Sequence, residues 1–129
     1  MKHVVVGIIT NPKDKDQYLL INSKKDFGEF TGFFYPPGGH LEEDESEEIA
    51  LTREIKEELN VNVIATKKLA ETGSDVKDQI THWWECDYDG SEMKIDESEI
   101  GEAKWLTREE ILKNDNIWPA TKKFFENYL

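Results

Sequence analysis

The chain has 129 residues, a mass of 15.0 kDa and a single cysteine, and its 28 acidic against 16 basic side chains give a net charge of −12. This length is typical of one domain with its own hydrophobic core, so we expect a single domain over residues 1–129. So acidic a chain repels phosphate backbones and anionic lipids, which argues against a nucleic acid polymer or a membrane as partner.

The sequence has no pattern typical of a signal peptide, a membrane span or a cysteine–histidine metal site. The N-terminus lacks the basic region and cleavage site of a signal peptide, and no segment approaches the ~20 apolar residues of a membrane span. We therefore expect a cytoplasmic protein. The lone Cys86 cannot form an intramolecular disulfide, and there is no CxxC or Cys/His cluster for zinc or an iron–sulfur centre. Cys86 is expected to be a small buried apolar residue.

The first part of the chain has the pattern of β-strands. Residues 3–10 are a β-branched apolar run, residues 17–21 are a second one, and the polar residues between them predict a hairpin. Residues 29–35 are aromatic and are predicted as a strand, although Gly28 and Gly32 blur its edges. The Pro-Pro-Gly-Gly sequence at 36–39 then stops any regular element and leads towards a helix.

A helix is predicted from Ser46, as N-cap, to Leu59. Glu47 and Glu48 fall in its first turn, where the helix dipole favours anions, and both are expected to be solvated side chains without a role in the site. Its apolar residues recur at i, i+4 and i+8, which predicts that one stripe of the helix packs on a sheet. The residues of this stripe are Leu51, Ile55 and Leu59.

The second half of the chain indicates two more strands, then a short strand and two helices. Strands are predicted over residues 61–65, 79–88 and 103–106, a capping box at 107–110 predicts a short helix, and a last helix begins near Pro119. In the 79–88 strand we expect one face towards the core: Ile80, His82, Trp84, Cys86 and Tyr88. In the last helix we expect a buried side of Ala120, Phe124, Phe125, Tyr128 and Leu129. This order of elements indicates an α/β sandwich with a mixed sheet and helices on its faces.

Acidic residues are concentrated around the predicted central helix. Residues 38–61 hold nine carboxylates but only Arg53 and Lys56 as basic residues. Most acidic runs of this kind are solvated helix faces, and that is the simplest interpretation before their spacing is considered.

The spacing of three of these carboxylates indicates a metal site. Glu54, Glu57 and Glu58 lie at i, i+3 and i+4, so they fall within roughly 100° of one another on one helix face. Like charges at these spacings disfavour a helix by roughly 0.2–0.5 kcal/mol per pair, so a cation is expected beside them. Carboxylates that share a cation with phosphate oxygens suit Mg²⁺, with Mn²⁺ as a substitute. Arg53, four residues before Glu57, either orients that carboxylate or is simply solvated.

These residues resemble the signature of the Nudix (MutT-like) hydrolase family. The pattern is Gly, five residues, Glu, seven residues, Arg-Glu, an aliphatic, any residue, Glu-Glu, any residue, Gly and an aliphatic. A chance match of its fixed positions is expected on the order of once in 10⁴ to 10⁵ such chains. The matching residues are Gly39, Glu45, Arg53, Glu54, Ile55, Glu57, Glu58 and Val61. Asn60 replaces the closing Gly, and Asn also tolerates a left-handed helix cap.

The resemblance implies a fold and a set of site residues. The fold would be the Nudix-type α/β/α sandwich with a mixed β-sheet. The metal ligands would be Gly38, through its carbonyl, with Glu54, Glu57, Glu58 and, by its place six residues before Trp105, Glu99. The catalytic set would be Arg53, Glu54 and Glu57, with Glu54 or Glu57 as the base and Glu45 as support. For Glu99, a solvated loop glutamate is the alternative.

The resemblance also implies a reaction and a class of substrate. A metal-activated water would attack phosphorus in a nucleoside diphosphate-linked substrate, first of all a nucleoside triphosphate, in a monomer or homodimer. ADP-ribose, dinucleoside polyphosphates and a non-catalytic nucleotide-sensing module are the alternatives. In MutT-type enzymes an Asn before the last helix reads an oxidised purine, and Thr121 stands there in this chain. Trp83 either stacks on a base or packs in the core.

Overall fold

The computed structural model describes residues 1–129 as a mixed sheet with helices on both faces. Three helices and seven strands follow one another as β1 (Lys2–Asn11), β2 (Asp14–Ser23), β3 (Phe34–Tyr35), β4 (Gly38–His40), α1 (Glu47–Leu59), β5 (Val63–Gly73), β6 (Gln79–Tyr88), β7 (Ile100–Thr107), α2 (Arg108–Lys113) and α3 (Pro119–Tyr128). No helix is long and apolar enough to cross a membrane. The predicted α/β/α sandwich with a mixed sheet is confirmed.

Strand β1 lies at the centre of the sheet and organises the site. It pairs in parallel with β6 and antiparallel with β2 and β4, while β5 lies outside β6, and β3 and β7 pair with β2. β1 is buried on both faces: Val5 and Ile9 pack in the cluster that includes α1, and Val6 and Ile8 pack in the cluster that includes α2 and α3. This explains the unbroken apolar run in its sequence.

Helix α1 begins and ends as its sequence predicts. The Ser46 hydroxyl accepts a hydrogen bond from the Ile49 N–H at 3.2 Å. At the other end Asn60 has φ 56° and ψ 34°, the left-handed conformation, and its N–H donates to the Lys56 carbonyl. The helix buries the predicted stripe, in which Leu51, Ile55 and Leu59 are all 0% exposed. That packing fixes the direction of the opposite, acidic face.

We predict that Asn60→Gly leaves kcat nearly unchanged. Glycine accepts the left-handed cap of α1 at least as readily as asparagine, so the helix end should stay in place. The measurement is kcat on one active substrate at saturating metal. A tenfold or larger change would mean that Asn60 contacts substrate or metal and is more than a helix cap.

The predicted strand at 29–35 is wrong for most of its length. Residues Gly28–Phe30 form a 3₁₀ turn, and only Phe34–Tyr35 are extended. The cause is local: Gly28 has φ 63° and Gly32 has φ 82°, and both values interrupt a strand. By contrast, β5 and β7 are longer than predicted. β5 pairs with β6 and β7 pairs with β2, and this pairing extends both strands through residues of low strand propensity.

The expectation that β6 buries a single face is also wrong. Thr81, His82 and Trp83 are all buried, whereas Ile80 and Tyr88 are partly exposed. Strand β6 lies between β1 and β5 and is covered by α1 on one side and α3 on the other, so both of its faces meet a helix layer. On α3, Phe124 and Phe125 are buried as predicted, but Tyr128 and Leu129 are 50% and 39% exposed.

A polar network joins the start of α1 to the sheet. Its members are His3, Glu47, Lys68, Glu71, His82 and Trp84. The Lys68 ammonium lies 2.9 Å from His82 Nδ1, and Glu71 Oε1 and Glu47 Oε1 lie 3.1 Å and 3.3 Å from the same nitrogen. His82 Nε2 lies 2.8 Å from His3 Nδ1. The network therefore places His82 among charged side chains of both signs.

We predict that His82 makes the fold less stable in acid. Burial, with help from Lys68, lowers the pKa of His82 although Glu47 opposes this shift. Below the ordinary histidine pKa of about 6.5, His82 is protonated in the unfolded chain but stays neutral in the folded chain until the pH is lower. The free energy of unfolding therefore falls as the pH falls. The measurement is the free energy of unfolding of the wild type and of His82→Asn at pH 8 and pH 5.5.

Each protein gives a change in unfolding free energy between pH 8 and pH 5.5. The difference between these two changes removes the contributions of the other titrating groups. On acidification to pH 5.5, about one unit below the ordinary histidine pKa, we expect the wild type to lose more unfolding free energy than the variant, by up to about 1.4 kcal/mol. An equal loss in both proteins would show that His82 titrates in the fold as it does in the unfolded chain.

Candidate active site

The residues predicted as metal ligands line one cavity of about 410 Å³, whereas Arg53 contacts its carboxylates from outside the lining. Glu54, Glu57 and Glu58 reach it from α1, Glu99 from the residue before β7, and Gly38 from β4. Glu99 lies far from α1 in sequence, and the antiparallel pairing of β7 with β2 brings it to the cavity. All five residues predicted as metal ligands therefore line the same cavity.

Glu58 is the most deeply buried carboxylate of the cavity. It is 7% exposed, and its Oε1 accepts a hydrogen bond from the Gly38 N–H at 3.1 Å. Burial, followed by the negative charge of Glu54, raises the pKa of Glu58 to about 8, and the bond from Gly38 offsets this only partly. The structure thus holds a carboxyl group whose ionised form lacks a compensating positive charge.

Arg53 links the carboxylates of α1 to the loop that precedes this helix. Its guanidinium forms two parallel bonds to Glu45, with Nε 2.8 Å from Oε2 and Nη2 2.9 Å from Oε1. Its Nη1 lies 3.0 Å from Glu54 Oε1 and 3.5 Å from Glu57 Oε1. The predicted pairing of Arg53 with Glu57 is present, but the contacts with Glu45 and Glu54 are closer. Bidentate pairing of this kind fixes direction as well as charge.

Two glycines let β4 approach the carboxylates closely. A Cβ added at Gly39 would lie 2.3 Å from Glu54 Cδ, and one added at Gly38 would lie 1.9 Å from the Val5 carbonyl oxygen. Any side chain at Gly39 would therefore displace the Glu54 carboxylate. This is the physical reason for the glycine that opens the sequence motif.

The carboxylates that line the cavity lie close enough to interact electrostatically, but they do not converge on a single point. Burial is the main cause of the raised pKa of Glu54, and the negative charges of Glu57 and Glu99 raise it further. Even so, no three carboxylate, imidazole or thiol side chains are arranged to hold a metal ion. The expectation that the three glutamates of α1 meet at one point is thus not met, because Arg53 holds Glu54 and Glu57 while the Gly38 N–H holds Glu58.

The donor set nonetheless fits a hard divalent cation. Four carboxylates and a backbone carbonyl are the oxygen ligands that Mg²⁺ and Mn²⁺ accept. Arg53 is the one basic side chain in contact with Glu54 and Glu57, and it is already shared with Glu45. Glu58 and Glu99 form no ion pair with a basic side chain, and such a cation would supply the missing positive charge.

The rest of the cavity lining combines aromatic and hydroxyl side chains with Lys25, Asp75 and Gln79. Trp83 and Trp118 line it together with Thr81 and Thr121. Of the two roles considered for Trp83, the structure shows core packing: it is 2% exposed and its ring stacks on Phe124 with centroids 4.1 Å apart. The sequence pattern missed Trp118, which lies in an irregular segment before α3 where periodicity carries no signal.

Glu47 and Glu48 are not an equivalent pair, contrary to expectation. Glu47 Oε1 accepts a hydrogen bond from Trp84 Nε1 at 2.9 Å and lies 3.0 Å from Lys68 Nζ, so it belongs to the His82 network. Glu48 is exposed and its side chain has no hydrogen bond or ion pair. Only Glu48 is the solvated first-turn carboxylate that the sequence predicted for both positions.

The fold and the site define a class of protein: an α/β/α sandwich that presents an arginine-tethered acidic helix to a nucleotide-sized cavity. The family model described as NUDIX domain matches residues 1–128. The chain belongs to the Nudix family. Nudix hydrolases generally use divalent metal ions and act on small nucleotide substrates.

Individual relatives agree with this placement. An 8-oxo-dGTP diphosphatase of Proteus vulgaris is 32% identical over 77 residues, which are 60% of this chain and 66% of that protein. The match thus spans slightly less than two thirds of the relative's length. Among solved structures, the MutT protein of Methanosarcina mazei Go1 superposes with a TM-score of 0.81 at 24% identity, covering 98% of this chain and 91% of that one. The ORF135 protein of E. coli gives 0.76 at 26% identity, with 98% and 86% covered.

Proposed function

We propose that the chain hydrolyses a diphosphate linkage in a nucleoside diphosphate-linked substrate, with a nucleoside triphosphate as the first candidate. One observation carries this proposal: a single cavity joins the carboxylates of α1 and Glu99 to an end lined by Trp83 and Trp118, which also contains Asp75. A nucleotide has the same division, with a charged phosphate chain and an apolar, stackable base. The similarity to an 8-oxo-dGTP diphosphatase supports the same substrate class.

The metal proposed for this site is Mg²⁺, with Mn²⁺ as a substitute. Glu54, Glu57 and Glu58 would hold it, with the Gly38 carbonyl and Glu99 as further oxygen donors. A divalent cation bound there would lower the pKa of a water molecule and neutralise charge on the phosphates. Its binding would also stabilise the ionised form of Glu58, whose pKa is raised to about 8 without it.

The side chains then have distinct tasks in the reaction. Water attacks phosphorus, the bond between that phosphorus and the bridging oxygen breaks, and the departing phosphate keeps the electron pair. The proton of the water passes to a carboxylate, for which Glu54 and Glu57 are the candidates. Arg53 orients both of them, since its Nη1 lies 3.0 Å from Glu54 and 3.5 Å from Glu57. No covalent intermediate on the protein is needed.

A phosphate-release screen tests the proposal. The substrates are nucleoside triphosphates, 8-oxo-dGTP, ADP-ribose and dinucleoside polyphosphates, each assayed with Mg²⁺ and with Mn²⁺. We expect turnover of at least one nucleoside triphosphate. Turnover of only ADP-ribose or only a dinucleoside polyphosphate would contradict the assignment of a nucleoside triphosphate and would identify that compound as the substrate.

Removal of the metal is the second arm of this experiment. We expect exhaustive EDTA treatment to abolish turnover, and added Mg²⁺ to restore it and to raise the thermal midpoint, because the cation binds the folded chain only. Activity that survives EDTA undiminished would contradict a metal-dependent mechanism.

A further inference from the structure

Asp96 connects the backbones of two glutamates that line the cavity. It lies in the irregular connection between β6 and β7, shortly before Glu99. The Asp96 N–H donates to the Glu58 carbonyl at 2.8 Å, and the Asp96 carbonyl accepts from the Glu99 N–H at 3.0 Å. A single residue therefore joins the end of α1 to Glu99.

The part of the connection before Asp96 is held against the end of α1. The last carbonyls of a helix have no partner within the helix. Here the Asp96 N–H satisfies the carbonyl of Glu58, and the Lys94 N–H satisfies the next one at 2.9 Å. The side chains of Met93 and Ile95 pack against the core cluster that includes α1. Asp96 is thus fixed relative to the helix that carries Glu58.

The part after Asp96 is a turn that its side chain closes. Asp96 Oδ1 accepts hydrogen bonds from the Ser98 N–H at 3.1 Å and from the Ser98 hydroxyl at 2.6 Å. The Asp96 carbonyl also accepts from the Ile100 N–H at 2.8 Å, and the Glu99 carbonyl accepts from the Lys24 N–H at 2.9 Å. An aspartate that bonds the backbone two residues on stabilises a turn of this kind. The Glu99 backbone is therefore held on both sides.

The Glu99 side chain has no support of its own. It is exposed, and it forms no ion pair with a basic side chain. The place of its carboxylate is then only as well defined as the turn that carries it, and metal ligands need to be held within about 0.5 Å. Asp96 itself does not line the cavity, so it is not a further candidate ligand.

We propose that Asp96 is a positioning residue, which holds Glu99 at a set distance from Glu58 so that both carboxylates can bind one divalent cation. This inference rests on the proposed function. Asp96 acts through the acceptor oxygen of its side chain and not through its charge, since the groups bound to it are the N–H and hydroxyl of Ser98. Asparagine offers the same acceptor and closes the same type of turn.

The same connection contains a matched control for Asp96. The Asp89 Oδ1 accepts from the Ser91 N–H at 2.9 Å, so Asp89 closes a second turn of the same Asp-x-Ser type, and it does not line the cavity. Neither aspartate has a positive φ, so alanine can adopt the backbone conformation of both. Asp96→Ala, Asp96→Asn and Asp89→Ala therefore compare the same chemical change at two turns, only one of which leads to Glu99.

The test is Mn²⁺ binding without substrate, followed by electron paramagnetic resonance. Groups that hold a metal ligand in place typically contribute 10–100-fold to affinity, so we expect Asp96→Ala to bind Mn²⁺ about tenfold more weakly than the wild type. Asp96→Asn should stay within about threefold of the wild type and Asp89→Ala within about twofold. Thermal midpoints measured without metal verify that the variants fold.

A second pair of variants shows whether Asp96 acts through Glu99. Glu99→Gln should itself weaken Mn²⁺ binding, and adding Asp96→Ala to it should weaken binding by less than about a further twofold, because the residue that Asp96 positions no longer offers a charge. The inference is overturned if Glu99→Gln binds as the wild type does, or if Asp96→Ala keeps its full effect in that background.

The remaining outcomes separate this inference from the proposed function. It is overturned if Asp96→Ala binds Mn²⁺ like the wild type, if Asp89→Ala is weakened as much, if Asp96→Asn is as weak as Asp96→Ala, or if the wild type binds no Mn²⁺. The expected binding pattern in a protein that hydrolyses no nucleotide would support the positioning role and contradict the proposed function. Nucleotide hydrolysis with equal Mn²⁺ affinity in the wild type and Asp96→Ala would do the reverse.

Discussion

Glu57→Gln and Glu58→Gln should each lower kcat by roughly 10²–10⁴-fold, the range typical of losing a positioned acid–base group. Glutamine keeps the volume and the helix propensity, and at Glu58 it keeps a carbonyl oxygen that can accept from the Gly38 N–H. What it removes is the negative charge offered to a cation. The measurement is kcat on one active substrate at saturating Mg²⁺, with circular dichroism to verify folding.

The matched control is Glu48→Gln, which removes the same charge from the same helix. Glu48 is exposed and without a partner, so its loss should change kcat by less than about threefold. Glu47→Gln is unsuitable as a control because Glu47 is bound to Trp84 and Lys68. Equal losses at positions 48, 57 and 58 would mean that the acidic segment acts through its overall charge, and the assignment of a catalytic helix face would have to be withdrawn.

Gly39→Ala should lower kcat by about 10²-fold, although it lies outside the acidic helix. The new methyl carbon would lie 2.3 Å from Glu54 Cδ, so the Glu54 carboxylate has to move by about 1 Å or more. Displacement of a reacting group by this amount costs about two orders of magnitude in rate. The bond of Arg53 Nη1 to Glu54, 3.0 Å long, would be strained or broken by the same movement.

Gly73→Ala provides the matched control for this substitution. Gly73 is also in a strand, and a Cβ added there meets nothing within 4 Å, so we expect kcat to stay within about twofold of the wild type. Thermal midpoints of both variants distinguish loss of the site from loss of the fold. Full activity of Gly39→Ala would show that the position of Glu54 is not critical for turnover.

The sequence was most informative about α1, because its determinants are local. The Ser46 cap, the apolar stripe and the left-handed Asn60 all follow from neighbouring residues, and all are present. The Thr107 capping box is present for the same reason. These local features determine which carboxylates share a helix face, so the amino-acid sequence alone is sufficient to predict the acidic part of the site.

Tertiary contacts explain what the sequence did not predict. Periodicity assigned one buried face to β6, but two helix layers bury Thr81 and Trp83 as well. Glu47 looked like a solvated carboxylate, yet Lys68 and Trp84 reach it from distant strands. The end of the cavity beside Trp83 and Trp118 combines β6 with the segment around α3, and no pattern within either segment indicates that they meet.

Metal binding by the folded protein tests the central claim, that the carboxylates of α1 hold a divalent cation, without any assumption about substrate. The bound fraction of Mn²⁺ can be followed by electron paramagnetic resonance in titrations of the wild type, Glu58→Gln and Glu48→Gln. We expect the wild type and Glu48→Gln to bind equally, and Glu58→Gln to bind at least tenfold more weakly. Equal affinity in all three proteins, or no binding by the wild type, would contradict the claim.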